Sequence, residues 1–436
     1  MICMFSFSIV QLVRRMGNKL DKNIQKELLH MYSPFPSLPC FLHRPVEYIT
    51  KKAKKLPLVI EFEDDCFDLG VKDLQNTKCH SLHQFPSVSC CSAKMSVESM
   101  EQFLNSCSHI KKVYYDRKVQ ALLDTATPAI NSDQLQESGL TGKDVTIAVL
   151  DTGIYPHEDL EGRIIGFRDF INNRTDAYDD NGHGTHCAGD AAGNGASSGG
   201  MYKGPAPEAN LVGVKVLDKM GSGSLSTVIS GVEWCIQNQS QFNIKVLSLS
   251  LGSDAQQSAK DDPVVKAVER AWDNGMVVCV AAGNSGPGSS TIASPGISPK
   301  VITVGAADDK NSVDRSNDTV ADFSSRGPTI DGLTKPDLVT PGVNIISLRS
   351  PGSFLDKTNA SARVDIDYFS LSGTSMATPI CAGVVAQMLQ DNPNQSPDDV
   401  KRHLLNACED LGQDEYAQGY GLLNAVRLME MQMSQH

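Results

Sequence analysis

Four residues sit in surroundings that suit hydrolysis of an amide bond. At neutral pH that reaction needs a nucleophile, a base to take its proton, a group that orients the base, and donors aimed at the developing oxyanion. Ser375 lies in Ser372-Gly373-Thr374-Ser375-Met376-Ala377-Thr378-Pro379. A serine after glycine at a helix start exposes its hydroxyl near unpaired N–H groups and the positive end of the helix dipole. Taken alone it also reads as an ordinary N-cap. His183 lies in Asn181-Gly182-His183-Gly184-Thr185-His186-Cys187-Ala188-Gly189, where flanking glycines let the backbone turn and a partner approach. His186 raises the question of a metal, but there is no HExxH pattern and no evident third ligand. Asp151 ends an apolar run in Leu150-Asp151-Thr152-Gly153, and Asn284 follows another in Ala281-Ala282-Gly283-Asn284-Ser285-Gly286-Pro287. The first suits a carboxylate orienting a base, the second a neutral oxyanion donor; each alone is also a plausible turn residue.

The elements that must position these residues are legible as alternating patterns. Val145–Leu150 is continuously apolar, as expected for a strand buried on both faces of a parallel sheet. Similar runs recur at Leu211–Val216, Val246–Leu251, Met276–Ala281 and Val301–Val304, with helical patterns at Gly184–Ala192, Ser226–Gln237 and Pro263–Asn274 between them. This alternation predicts an α/β fold, a doubly wound and mostly parallel sheet over about residues 141–430. Such sheets carry their sites at the carboxyl ends of strands, where Asp151, Ser250 and Asn284 fall. Upstream, Leu58–Phe62, Ser87–Lys94 and Ile110–Tyr115 read as strands and Val97–Cys107 as a helix capped by Ser96. They predict a small α+β lobe over 57–123, after a helical and Pro-rich extension over 1–56 and before a polar linker over 124–140.

Composition excludes several classes. The chain is 40% hydrophobic and 21% charged, ordinary for a globular enzyme, and no window suits a membrane helix. The net charge of −12 is uneven. Residues 1–124 hold 17 Lys and Arg against 13 Asp and Glu, and the remainder 22 against 38. The Lys51–Lys55 cluster lacks interleaved aromatics, so nucleic acid is not an expected partner. Met1–Val13 is apolar, but Arg14 and Arg15 follow it and no small-x-small cleavage site comes after, which argues against a signal peptide. The 12 cysteines include Cys235, Cys279 and Cys381 in apolar runs typical of buried free thiols. Together these features predict a cytoplasmic protein.

Taken in order, Asp151-Thr152-Gly153, His183-Gly184-Thr185-His186, Ala282-Gly283-Asn284 and Gly373-Thr374-Ser375-Met376-Ala377-Thr378-Pro379 resemble the subtilases, the subtilisin-like serine peptidases. The resemblance covers roughly 140–425. Within that family the chain is most similar to cytoplasmic members from bacilli. It implies a serine endopeptidase with Ser375 as nucleophile, His183 as base, Asp151 as its orienter, and Asn284 with the Ser375 amide as oxyanion hole. It implies that His186 is not catalytic and that Cys187 lies near the base. No cofactor is implied for the chemistry. Asp159 matches one calcium-ligand position of secreted relatives, so a structural calcium is a candidate there.

The resemblance also implies that an extended peptide adds as a strand along Gly221-Ser222-Gly223 and Ser250-Leu251-Gly252. Ala281, Ala282 and Gly283 would line an apolar first specificity pocket, and Leu225 would favour an apolar fourth residue. Broad cleavage after apolar or aromatic residues follows. The 57–123 lobe resembles a ferredoxin-like propeptide, an intramolecular chaperone and inhibitor whose exit runs through 116–124. Segments Asp308–Thr319 and Arg349–Asp367 read as insertions at the rim of the cleft. Three other readings remain: a catalytically silent binding protein, which would need a missing catalytic residue; a peptide ligase on the same acyl-enzyme chemistry; and a narrow processing protease.

Overall fold

An apolar strand buried at every residue requires cover on both faces, and Thr146–Asp151 is buried throughout. The computed structural model describes residues 8–31, 40–63, 65–77, 79–85, 89–115 and 126–428. They divide into two units, Met1–Gln120 and Ala121–His436.

In the first unit, helices α1 (Ser8–Met16), α2 (Lys22–His30) and α3 (Cys40–Ala53) precede β1 (Lys55–Phe62), α4 (Phe67–Gln75), β2 (Cys79–Phe85), β3 (Cys90–Ser96), α5 (Val97–Ser106) and β4 (Ile110–Tyr115). Leu56, Leu58, Ile60 and Phe62 alternate into the core with the period of two that a one-sided sheet demands. The antiparallel order β2-β3-β1-β4 is the ferredoxin-like β-α-β-β-α-β arrangement. Ser96 caps α5 through its hydroxyl and the Ser99 amide. Two sequence expectations need correction. The strand expected at Ser87–Lys94 runs over Cys90–Ser96, and the unanticipated β2 pairs with it. The boundary expected at 56/57 divides nothing, because Leu12, Leu20, Ile24 and Leu28 share one core with β1 and α5. The expected exit segment 116–124 lies outside the described residues.

The second unit opens with short helices α6 (Ala126–Ala129) and α7 (Ser132–Glu137). Its sheet contains β5 (Thr146–Asp151), β6 (Ile164–Asp169), β7 (Asn210–Lys215), β8 (Ile244–Leu249), β9 (Val277–Ala281), β10 (Ile302–Asp308), β11 (Thr319–Val320) and β12 (Leu338–Pro341). The order β6-β7-β5-β8-β9-β10-β12 is parallel throughout, with β11 added antiparallel to β10. Helices α8 (His183–Ala192), α9 (Leu225–Gln237), α10 (Gln239–Phe242), α11 (Pro263–Asp273), α12 (Phe354–Thr358) and α13 (Thr374–Asp391) complete the frame. The pair α8 and α13 packs over β5, β8, β9 and β10, and the pair α9 and α11 over β5 and β9. Winding reverses at β5, between β7 and β8, so Asp151 ends its strand at the switch point where doubly wound sheets open a crevice. Among the described residues no helix is long and apolar enough to cross a membrane.

The segment Arg349–Asp367 is fastened by charge. Asp356, 3% exposed, takes Arg349 Nε at 2.6 Å and Nη2 at 3.0 Å, Arg363 Nε at 2.6 Å and the Gly352 amide at 2.8 Å. The Arg349 guanidinium, with the Gly352 amide and Arg363, outweighs burial and holds this carboxyl well below the usual range. A depressed folded-state pKa stabilises above the unfolded value and is lost as pH falls. Urea unfolding at neutral pH should therefore find Asp356→Asn less stable by about 1–3 kcal/mol, a gap that narrows as pH drops below about 4.

Candidate active site

Asp151 has no solvent exposure, and its Oδ1 accepts from the Thr152 amide and lies 2.7 Å from His183 Nδ1. His183 is the first residue of α8, entered through Gly182 at φ 107°, and its amide donates to Asn181 Oδ1. Burial opposes charging the imidazole, but the adjacent Asp151 carboxylate prevails and raises its pKa well above the ordinary value. The loop carrying His183 is tied by a second buried carboxylate. Asp179 accepts from Thr152 Oγ1, the amides of Asn181, Gly182 and Thr185, and Thr185 Oγ1, at 2.7–3.0 Å. Thr152 Oγ1 in turn accepts from the Gly184 amide. Lys215, opposite Asp151 in the β5–β7 ladder and fully buried, donates to Asp180 at 2.7 Å. Sequence reasoning missed Asp179 and Lys215; the signal was a carboxylate four residues before His183 and a lysine inside the apolar run Leu211–Val216.

Ser375 is the second residue of α13, and its Oγ donates to the Ser250 carbonyl at 3.2 Å. Pro379 has no N–H to return to the Ser375 carbonyl four residues back. That carbonyl instead receives Ser250 Oγ at 2.7 Å and Cys187 Sγ at 3.4 Å. The Asn284 Oδ1 accepts from the Thr374 amide at 2.9 Å, which turns Nδ2 the other way. A Cβ added to Gly373 would lie 3.4 Å from Asn284 Nδ2 and 3.6 Å from the Ser375 amide nitrogen. Both nitrogens border the space beside Gly373, with Asn284 Oδ1 at 3.7 Å held by the Thr374 amide, an arrangement that could serve a developing oxyanion.

His183, Ser375 and Asn284 line one cleft of about 620 Å³. Its lining includes Gly221, Ser222, Gly223 and Leu225, Ser250, Leu251 and Gly252, and Ala281 and Gly283. Ala282, expected in the pocket, is instead buried behind it with Val265, Ile292 and Ile297. Ala293 forms a floor that the sequence did not reveal: a Cβ on either Gly252 or Gly283 would come 3.1 Å from its methyl. Among the described residues the one acid lining the cleft is Asp254, which is exposed. Of the two insertions, Arg349–Asp367 contributes Leu355, whose amide donates to the Asn181 carbonyl. Asp308–Thr319 does not line the cleft; it is the hairpin between β10 and β11.

His186 is buried away from the chemistry, with Nδ1 2.9 Å from Asp190 and Nε2 facing the Ile345 and Phe369 carbonyls. Cys187 touches Asp151, His183 and Ser375, and burial pushes its thiol up to about 12, so it is not a thiolate at neutral pH. Ligand atoms of Asp151, His183 and Cys187 lie within 4.8 Å of one another, a set that could hold a soft cation at the expense of the imidazole. The calcium considered at Asp159 meets a different fate. Its carboxylate is buried and accepts from the Gly195 and Ser197 amides and Tyr368 Oη at 2.8–3.1 Å. Lone pairs turned toward N–H and O–H hydrogens do not fit a cation.

Residues 142–422 match the family model described as the subtilase family. The chain is 54% identical to serine protease AprX of Bacillus subtilis (strain 168), across 97% of this chain and 98% of that protein. It is 40% identical to subtilisin Savinase of Lederbergia lenta, across 66% of this chain and 91% of that one. Among solved structures, sphericase superposes with a TM-score of 0.55 at 31% identity, covering 65% of this chain and 92% of its own.

The imidazole geometry yields a pH test. A protonated His183 cannot accept a proton, so activity should fall as pH drops through its raised pKa. Asp151→Asn removes the charge that raises it. The acidic limb of kcat/KM should move to lower pH while turnover falls by about 10⁴; a limb that stays in place would remove Asp151 from this role.

Proposed function

The chain belongs to the subtilase family of serine proteases, and on that premise we propose that it is an endopeptidase working through an Asp151–His183–Ser375 triad and an acyl-enzyme. The observation that carries this reading is the convergence of the Asp151-backed imidazole, the hydroxyl at the start of α13, and the two nitrogens beside Gly373 in one cleft. Ser375 Oγ leaves the Ser250 carbonyl, gives its proton to His183 Nε2 and attacks the substrate carbonyl carbon. The carbonyl oxygen becomes negative between Asn284 Nδ2 and the Ser375 amide. Asp151 holds Nδ1–H and stabilises the imidazolium. His183 then protonates the leaving amine, and water repeats the sequence to free the acid and restore Ser375.

The glycine-containing segments Gly221–Gly223 and Ser250–Gly252 let a second backbone approach, which favours a substrate added as a strand. An apolar slot floored by Ala293, with no buried acid, favours apolar or aromatic residues before the scissile bond. The ferredoxin-like lobe of the first unit suits an intramolecular chaperone and inhibitor. Ten cysteines among the described residues form no disulfide, which suits a reducing, cytoplasmic setting.

Two measurements test this reading. Purified chain should digest casein and shorten near residues 116–135, whereas Ser375→Ala should stay at 47.0 kDa and lose activity by several orders of magnitude. A full-length yet active wild type would make the lobe a permanent domain. Ala293→Leu should lower kcat/KM for a peptide with phenylalanine before the bond about 10–200-fold relative to one with alanine; equal losses for both would put the slot elsewhere.

A further inference from the structure

The insertion Arg349–Asp367 is docked on the turn that presents His183. Three consecutive carbonyls of that turn hold it. Asp179 accepts from Ser350 Oγ at 2.7 Å, Asp180 from the Phe354 amide at 2.8 Å, and Asn181 from the Leu355 amide at 2.9 Å. The Ser353 hydroxyl caps α12 through the Asp356 amide, and Asp356 is clasped by Arg349 and Arg363. Gly182 permits the close approach: a Cβ there would lie 2.8 Å from Ser353 Oγ and 3.7 Å from Leu355 Cβ.

These anchors are hydrogen bonds and ion pairs, and the Leu355 side chain supplies none of them. That side chain is half-buried, lines the cleft with Asn181 and His183, and is part of no apolar core among the described residues. A leucine held at a cleft by its backbone, with its side chain outside every core, is available to a ligand. Its neighbour Asn181 is not available in the same way, because both ends of the amide are engaged: Nδ2 donates to the Lys219 carbonyl and Oδ1 accepts from the His183 amide. The strand order limits which part of a peptide can reach Leu355. Asp151, which backs the imidazole, ends β5; Ala281, beside the apolar slot, ends β9; and β8 lies between them, leading into Ser250–Gly252. Side chains alternate along an extended chain. A peptide with one residue in the slot therefore turns the side chains of both neighbouring residues away from the slot.

We propose that Leu355 is a specificity-determining residue, packing beside the imidazole against a substrate residue that flanks the one in the slot and favouring an aliphatic side chain there. The insertion then adds a selection of its own, made at the β5 side of the cleft and separate from the one made by the slot over Ala293. The inference rests on the endopeptidase reading and deepens it.

The test uses the full chain and a set of quenched peptides with phenylalanine for the slot. Alanine, leucine or lysine stands at the residue before it or at the residue across the scissile bond. Values of kcat/KM are measured for wild type, Leu355→Ala and Leu355→Glu, with a sulfonyl fluoride titrating Ser375 so that rates refer to active enzyme. Wild type should favour leucine over alanine at one of the two positions. Leu355→Ala should lower that ratio about 10-fold, and Leu355→Glu should raise lysine against leucine at the same position by a similar factor. The ratio of phenylalanine to alanine in the slot should not move in either variant. Ratios between peptides cancel any general effect of a substitution on His183. An equal loss on every peptide would therefore make Leu355 a packing residue of the turn and overturn the proposal, as would a wild type indifferent to leucine or ratios unchanged at both positions. If Leu355→Glu does not fold, the leucine-to-alanine ratio of Leu355→Ala decides alone. A wild type that cuts no peptide and leaves the sulfonyl fluoride unreacted would remove the endopeptidase reading itself, and this inference with it.

Discussion

Burying the Asp151 carboxylate at the end of the central strand costs several kcal/mol unless charge-assisted hydrogen bonds offset it. The groups that supply the offset are the ones the proposed chemistry requires. The Thr152 amide and His183 Nδ1 meet Oδ1 at 2.7 Å, which fixes the imidazole and leaves its other nitrogen for a substrate-side proton. This is possible only because winding reverses at β5, so that the strand ends in a crevice and not under a crossover helix. The sheet order and the Asp151–His183 pair are therefore one constraint viewed at two scales.

A second layer of buried polar groups keeps that pair in register. Asp179 gathers the amides of the loop from Asn181 to Thr185 and ties them through Thr152 to the end of β5. On the other side of the cleft the missing N–H of Pro379 leaves the Ser375 carbonyl to Ser250 and Cys187. Both devices replace regular helix bonding near a helix start with bonds to a neighbouring strand or helix. Loss of local helical regularity here produces a fixed position for His183 and Ser375.

The main domain was readable because parallel strands buried on both faces are continuous apolar runs, with Asp151 and Asn284 following two of them and His183 and Ser375 opening glycine-preceded helices. Features set by tertiary contact were not. Strand β2, Cys-His-Ser-Leu-His-Gln-Phe, has no apolar run and shifts register between His80 and His83, so it carries no periodic signal. Ala282 lies one residue from two cleft-lining neighbours and faces the core, a distinction set by local backbone direction. The Asp159 position matched a calcium ligand, while the donors that fill it come from Gly195, Ser197 and Tyr368, far away in sequence. The false boundary at 56/57 arose because composition changes there while the core does not.

The walls of the cleft carry a consequence for what can be cut. If a substrate adds as a strand along the glycine-containing segments Gly221–Gly223 and Ser250–Gly252, recognition demands several of its residues in extended form with their own amides unpaired. A segment inside a folded protein meets that demand only when it opens, at the free energy of local unfolding. Susceptibility would then be graded by the conformational stability of the target, with loosely folded and damaged chains cut first and well-folded neighbours spared, whatever their sequences.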